Sequence, residues 1–245
     1  MYLARKTYFK IIYLFYKYIA QPEHPIKSFY NVYLTPFFKD KTFEYCFRGS
    51  YGTFFSRYIE QINTTTMFID IGANQGLYSI LASKNKMIEG VVAFEPSPST
   101  AELLNINFEI NKASEYQVIQ KAISNQNGSF SLNAVDGHSG KNSLREINNS
   151  TSVKIETINH TKLEKLIPPH TNYVIKIDVE GHENVVINEL VKCAFFKNVS
   201  SIFCEIDEEW IDVKKIKEQL KAFGFTKFKK VGTNKVHYDL LISKE

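Results

Sequence analysis

The chain has 245 residues, 44% of them hydrophobic, and a formal net charge of +4. That length suits one α/β domain with an appendage, and the apolar fraction excludes disorder as the default state. The charge is uneven: residues 1–49 hold eight Lys or Arg against three Asp or Glu, so the rest is near neutral, which argues against a basic nucleic-acid cleft.

Three cysteines, Cys46, Cys193 and Cys204, match neither a zinc nor a disulfide spacing. A reduced, cytoplasmic compartment is the expectation. Residues 1–50 read as an aromatic, basic helical extension, and residues 51–245 as the main domain. In residues 1–20, Tyr8, Phe9, Ile11, Ile12, Tyr13, Leu14, Phe15, Tyr16, Tyr18 and Ile19 predict a helix apolar almost all round, with Lys6, Lys10 and Lys17 on one stripe. The run is too short and too charged to span a bilayer, and no small-residue cleavage site follows it. Two readings stay open. One is a helix packed on the domain or on the partner in a homodimer. The other is an interfacial helix at the inner face of an anionic membrane.

Residues 21–66, broken by Pro22, Pro25 and Pro36, form an aromatic lead-in, with a helix over 51–62. From residue 67 strands and helices alternate. Met67–Ile71 is a strand, Gly72–Gly76 a tight turn, and Leu77–Ala82 the start of a helix. A second strand, Val91–Phe94, ends in Glu95-Pro96. The next helix carries a capping box at Ser99 and Glu102, and Tyr116–Ile123 is the third strand. Residues 124–152, rich in Gly, Asn and Ser, predict a small antiparallel insertion with Val153–Ile158 and a flexible loop at 135–151. A second capping box, Thr161 and Glu164, opens a short helix. Tyr173–Val179 and Ser201–Ile206 are the fourth and fifth strands. The helix at 213–223 is ended by Gly224, and residues 225–243 form a terminal hairpin. Alternation of this kind makes a doubly wound sheet.

The glycine turn departs from a dinucleotide fingerprint, which needs three glycines; here the run is Gly72-Ala73-Asn74-Gln75-Gly76. A side-chain amide at Asn74 suits a carboxylate and ammonium group. Glu95, about 20 residues past the turn, suits an unphosphorylated ribose. Together with Asp70, these residues point to S-adenosylmethionine. The second constellation is Lys176-Ile177-Asp178-Val179-Glu180-Gly181-His182-Glu183. Lys176 and Asp178 share a strand face, and the lysine needs a buried partner, with Glu205 and Asp70 as candidates. Three acids and a histidine at a strand's carboxyl end are better explained by a site than by helix N-terminal charge.

At these residues the chain resembles the FkbM-type S-adenosylmethionine-dependent methyltransferases. The matching stretches are Phe68–Gly76, Ala93–Pro96 and Lys176–Glu183, with Lys121–Ser124 followed by Gly128 matching more loosely. The resemblance covers about residues 51–243. It implies a Rossmann-like class I methyltransferase fold, with a mostly parallel seven-stranded sheet and an antiparallel last strand. It also implies O-methylation, in the family mostly on sugars, polysaccharide precursors and polyketides; the expected acceptor here is a sugar hydroxyl of a nucleotide-sugar, glycan or polysaccharide precursor. Two departures are Ile158-Asn159, where the family often has Leu-Asp, and Glu189, where it often has Gly.

The expected cofactor residues are Asp70, Gly72, Ala73, Asn74, Gly76, Glu95, Pro96, Ala122 and Asp178. The expected catalytic residues are Asp178 as base, then Glu180, with Lys176 and His182; His138 and Glu183 are expected at the acceptor. No His-rich ligand set is present, so no metal is expected, although a divalent ion at Asp178 and Glu180 stays open. A nucleic-acid amine as acceptor is disfavoured, because the turn after the fourth strand reads Asp178-Val-Glu-Gly rather than Asp/Asn-Pro-Pro-aromatic. Two alternatives remain: methylation of another small-molecule oxygen or nitrogen, and a silent cofactor-binding scaffold in a glycan-assembly complex.

Overall fold

A computed structural model describes residues 2–145 and 151–244. Helix α1 (Tyr2–Phe15) runs into one π-helical turn, Tyr16–Ala20. A short ribbon, β1 (Ile26–Lys27) and β2 (Tyr33–Leu34), leads to α2 (Lys41–Arg48) and α3 (Phe54–Glu60). The alternating part follows: β3 (Thr66–Ile71), α4 (Leu77–Ser83), β4 (Ile88–Phe94), α5 (Pro98–Ile110) and β5 (Tyr116–Ile119). An insertion holds β6 (Ala122–Ile123), β7 (Gly128–Ala134) and β8 (Thr151–Ile158). Then come α6 (His160–Leu166), β9 (Tyr173–Ile177), α7 (Glu183–Leu190), β10 (Val199–Asp207), α8 (Val213–Lys221), β11 (Lys227–Val231) and β12 (His237–Ser243).

Seven strands form one sheet in the order β11-β12-β10-β9-β3-β4-β5. The pairs from β10 through β5 are parallel, and β12 lies antiparallel between β10 and β11. The expected doubly wound sheet with its terminal hairpin is therefore present. The central strands β3 and β9 are buried along their whole length, as strands covered on both faces must be.

Each face carries its own core. Ile69, Ile71, Ile175 and Ile177 pack with Val186, Leu190 and Ile216 of α7 and α8. On the other face, Phe68, Val91 and Val174 pack with α4 and α5 and with the N-terminal extension through Phe29, Val32, Phe43 and Phe47. The extension thus closes one face of the sheet. Helix α1 joins it by its inner side: Tyr13 is buried, its ring 6.0 Å from Phe47 and 6.4 Å from Phe43.

The structure corrects several local expectations. The third strand is split: β5 stays in the main sheet, while β6 pairs in parallel with β8 in a separate three-stranded sheet. The insertion is therefore mixed rather than purely antiparallel. The fourth strand stops at Ile177, because Glu180 and Gly181 take positive φ (53° and 91°) and turn the chain. Neither capping box forms. Helix α5 starts after Ser97 with Pro98 in its first turn, where a missing N–H costs nothing. At α6 the residue before the helix is Asn159, and Glu164 instead accepts the N–H of Ala194. Of the 135–151 loop, residues 146–150 lie outside the described residues.

Candidate active site

The site lies beyond the carboxyl ends of β3, β4, β9 and β10, the crevice where open α/β sheets bind ligands. It is a cavity of about 320 Å³, within the usual range for small-molecule sites.

The glycine turn forms its floor. Gly72 has φ +79°, and a Cβ there would sit 1.8 Å from the Asp178 carbonyl oxygen, so only glycine lets the turns after β3 and β9 meet. Gly72 and Ala73 both donate to the Phe94 carbonyl, at 3.0 and 2.9 Å, which ties the turn to β4. Gly76, at φ +88°, starts α4 against Leu104.

Glu95 is buried at the end of β4. One carboxylate oxygen accepts the Asn74 N–H and the other the Ser97 N–H, each at 3.0 Å. Burial pushes its pKa up to about 7, against the two backbone bonds that favour the charge. Each oxygen keeps a lone pair for a hydroxyl donor. Asn74 itself sits at φ 50°, with its side-chain oxygen accepting from Gln75 N–H and Ser139 Oγ. Pro96, Ala122, Ile123 and Leu132 line the apolar end beside Glu95.

Lys176 is the buried cation of the site. Its Nζ donates to the Gly72 carbonyl at 2.8 Å and faces Asp178 at 3.2 Å and Asp70 at 3.5 Å. Burial disfavours its charge, but the two carboxylates outweigh burial and hold the lysine protonated. Asp70 stands opposite Lys176 in the β3–β9 register and also accepts from Ser79 Oγ at 2.6 Å. Of the two partners expected for Lys176, Asp70 is the one in contact, together with Asp178. Glu205 belongs to another pair.

Asp178, Glu180 and Glu205 bring carboxylate oxygens within 4.8 Å of one another, a spacing able to hold a cation. Burial and the Asp178 charge push the Glu180 and Glu205 pKa values up. The raised pKa values favour the neutral forms of Glu180 and Glu205. His237 on β12 faces Glu205 at 3.3 Å, and that contact raises the imidazole pKa.

The remaining expected residues divide. His182 lines the cavity, with Nε2 3.2 Å from Ser124 Oγ, and burial lowers its pKa. His138 lines it from the insertion loop, its ring 5.8 Å from Tyr45. Glu183 takes a different place from the one expected. It is buried outside the lining and accepts the N–H groups of Val179 and Gly181 at 3.0 and 3.2 Å, so it shapes the turn that presents Asp178. Glu189, the departure in α7, accepts the His160 N–H at 2.8 Å and so caps α6.

Sequence reasoning missed what comes from far along the chain. Asp40, buried at the start of α2, accepts from Thr42 N–H, Gln75 Nε2, Ser139 N–H and Ser139 Oγ. It clamps the 137–141 segment over the glycine turn. An Asp ahead of a helix is readable as a cap, but its second role is not. Tyr45, Tyr51 and Tyr78 line the same cavity, the Tyr51 ring 6.1 Å from Tyr45 and 6.4 Å from Tyr78.

A seven-stranded sheet of this order, with a glycine turn and a strand-end acid facing one crevice, defines a class I methyltransferase. The family model described as the methyltransferase FkbM domain matches residues 70–227, and the chain belongs to that family. S-adenosylmethionine is its cofactor, and the donor set fits: a cavity of adequate size, a ribose-competent Glu95 and a turn with no room for a side chain at Gly72. Among solved structures, the chain is similar to the ribosomal protein L11 methylase from Lactobacillus delbrueckii subsp. bulgaricus (13% identity, TM-score 0.45, covering 78% of this chain and 76% of that one). It is also similar to TrmK of M. capricolum in complex with S-adenosyl-homocysteine (11%, 0.48, 78% and 67%). A third is the precorrin-6y C5,15-methyltransferase from Geobacter metallireducens GS-15 (12%, 0.47, 78% and 86%). No curated protein sequence matches the chain.

Proposed function

We propose that this methyltransferase acts on a sugar hydroxyl of a nucleotide-sugar, glycan or polysaccharide precursor. The observation that carries the reading is the cluster of Asp178, Glu180 and Glu205 in the same cavity as Gly72 and Glu95. A hydroxyl must lose its proton to become a methyl acceptor, and carboxylates are the groups that accept hydroxyl bonds and protons there. The tyrosines of the lining add rings and hydroxyls suited to a polyol with apolar C–H faces.

S-adenosylmethionine supplies, when bound, a methyl group already activated on sulfur. Glu95 would hold the ribose, and the turn from Gly72 through Asn74 to Gly76 the amino-acid tail. Pro96 and Ala122 would flank the base. Asp178, oriented by Lys176, takes the acceptor proton, and Glu180 with Glu205 hold the neighbouring hydroxyls. His182 and His138 close the two sides. Alignment supplies most of the acceleration, and the base about 10²–10⁴-fold.

The test is transfer of labelled methyl from S-adenosylmethionine to a panel of nucleotide-sugars and lipid-linked glycans. Label on a sugar oxygen is the expected result. Cofactor binding with label only on a non-sugar acceptor overturns the acceptor assignment.

A further inference from the structure

Helix α1 has two apolar faces, and the domain uses only one. Tyr13, Phe9, Ile12 and Tyr16 turn inward onto Phe47 and its neighbours. At 100° per residue, Tyr8, Ile11, Leu14 and Phe15 share the opposite side, with Ile11 at its centre. All four are exposed, Ile11 by 63%. The π-helical turn extends this surface with Tyr18 and Ile19, 68% and 72% exposed. Contiguous exposed apolar surface of this kind marks an interaction site.

Charge decides what covers it. Residues 1–20 contain Arg5, Lys6, Lys10 and Lys17 and no acid. Arg5 is engaged with the domain, donating to the Phe29 carbonyl and to Asn31. Lys6, Lys10 and Lys17 run along one edge of the outer face, and none of them has an ion pair among the described residues. A second copy of the chain meeting this face about a two-fold axis would set one all-basic helix against another, with nothing on it to neutralise the charge. An anionic lipid surface satisfies both features: headgroups pair with the lysine edge, and the acyl boundary takes the isoleucines and aromatic rings. No helix among the described residues is long and apolar enough to cross a membrane.

We propose that the outer face of α1 docks in-plane on an anionic membrane surface. Helix α1 packs on α2, and α2 is capped by Asp40, which clamps the 137–141 segment over the cavity. Docking therefore sets the cavity at a fixed place relative to the lipid headgroups.

The test is co-sedimentation of the full chain with phosphatidylglycerol-containing vesicles and with pure phosphatidylcholine vesicles, with cofactor binding as the control for folding. The wild type should bind the anionic vesicles and lose binding in high salt. The double variant Ile11→Glu, Ile19→Glu should keep cofactor affinity and bind vesicles at least tenfold more weakly. At about fivefold per lysine, the triple variant Lys6→Gln, Lys10→Gln, Lys17→Gln should bind about a hundredfold more weakly. Absence of vesicle binding by the folded wild type, or equal binding to both vesicle types, overturns the proposal. So does a lipid-free dimer that Ile11→Glu dissolves. These readouts do not depend on which acceptor is methylated.

Discussion

Ser139 gives both its backbone N–H (2.9 Å) and its hydroxyl (2.6 Å) to the carboxylate of Asp40, 99 residues away. The same carboxylate takes the Gln75 amide from the glycine turn, so one buried acid ties the N-terminal extension, the cofactor floor and the insertion loop together. Charge-assisted bonds of this type contribute about 1.5–3 kcal/mol each, and the helix cap about 1 kcal/mol more. Asp40→Ala should therefore lower stability by about 3 kcal/mol and release the 137–141 segment to protease. Ser139→Ala should cost less and raise the acceptor KM more than it lowers kcat. Denaturant unfolding with limited proteolysis checks the first, and steady-state kinetics the second.

Lys176 sits between two carboxylates, and removing it leaves both without their cation. Lys176→Met should destabilise the protein by about 3–5 kcal/mol at pH 7.5. The variant's deficit should shrink as pH falls, because its folded state takes up a proton on Asp70 that the unfolded chain binds less readily. Burial already raises the Asp70 pKa with the lysine present. Urea unfolding at pH 7.5 and pH 5 measures the difference; a constant deficit would show that the lysine acts only by packing.

Glu95, as the proposed ribose ligand, should give cofactor binding a pH dependence. Its pKa rises from the ordinary 4.5 to about 7 on folding, so without cofactor it makes the fold less stable as pH climbs from about 4.5 to about 7. In the proposed cofactor site, ribose hydroxyls would donate to its ionised form. Affinity for S-adenosylmethionine should accordingly strengthen from pH 6 to pH 8 by up to about tenfold. Glu95→Gln should bind weakly with little pH dependence. Calorimetric titration at three pH values checks both.

Gly72 offers a purely steric test. An alanine methyl would have to occupy space 1.8 Å from the Asp178 carbonyl, at a φ of +79°. Gly72→Ala should part the two turns, destabilise the fold by about 2–4 kcal/mol and weaken cofactor binding. Wild-type melting and affinity in this variant would mean that the turns have more freedom than their contact suggests.

The sheet was legible because its signals are local. Apolar strands end in punctuating turns, and Gly72, Gly76 and Glu95 fall at strand ends whatever the tertiary packing. The split after Ile119 was not, since Tyr116–Ile123 holds no breaker and only pairing with β8 moves Ala122 and Ile123 to another sheet. The choice among Lys176's partners needed the register, which sets Asp70 beside it and Phe203, not Glu205, on its other side. Asp40 and His237 reach the site from opposite ends of the chain, and nothing in their local sequence announces that. Glu183 misled for the opposite reason: its neighbours in sequence line the cavity, while its side chain turns back onto the amides of Val179 and Gly181.

In the proposed reaction, the acids beside the glycine turn remove a proton from an acceptor hydroxyl. This step is tested most directly by single-turnover methyl transfer to the acceptor found in the panel, run in parallel on wild type and Asp178→Asn, with cofactor affinity measured on both. Asp178→Asn should keep its affinity within about threefold and lower the rate by about 10²–10⁴-fold. An unaltered rate would contradict Asp178 as the base, and lost affinity with a normal rate at saturating cofactor would make it a cofactor ligand instead.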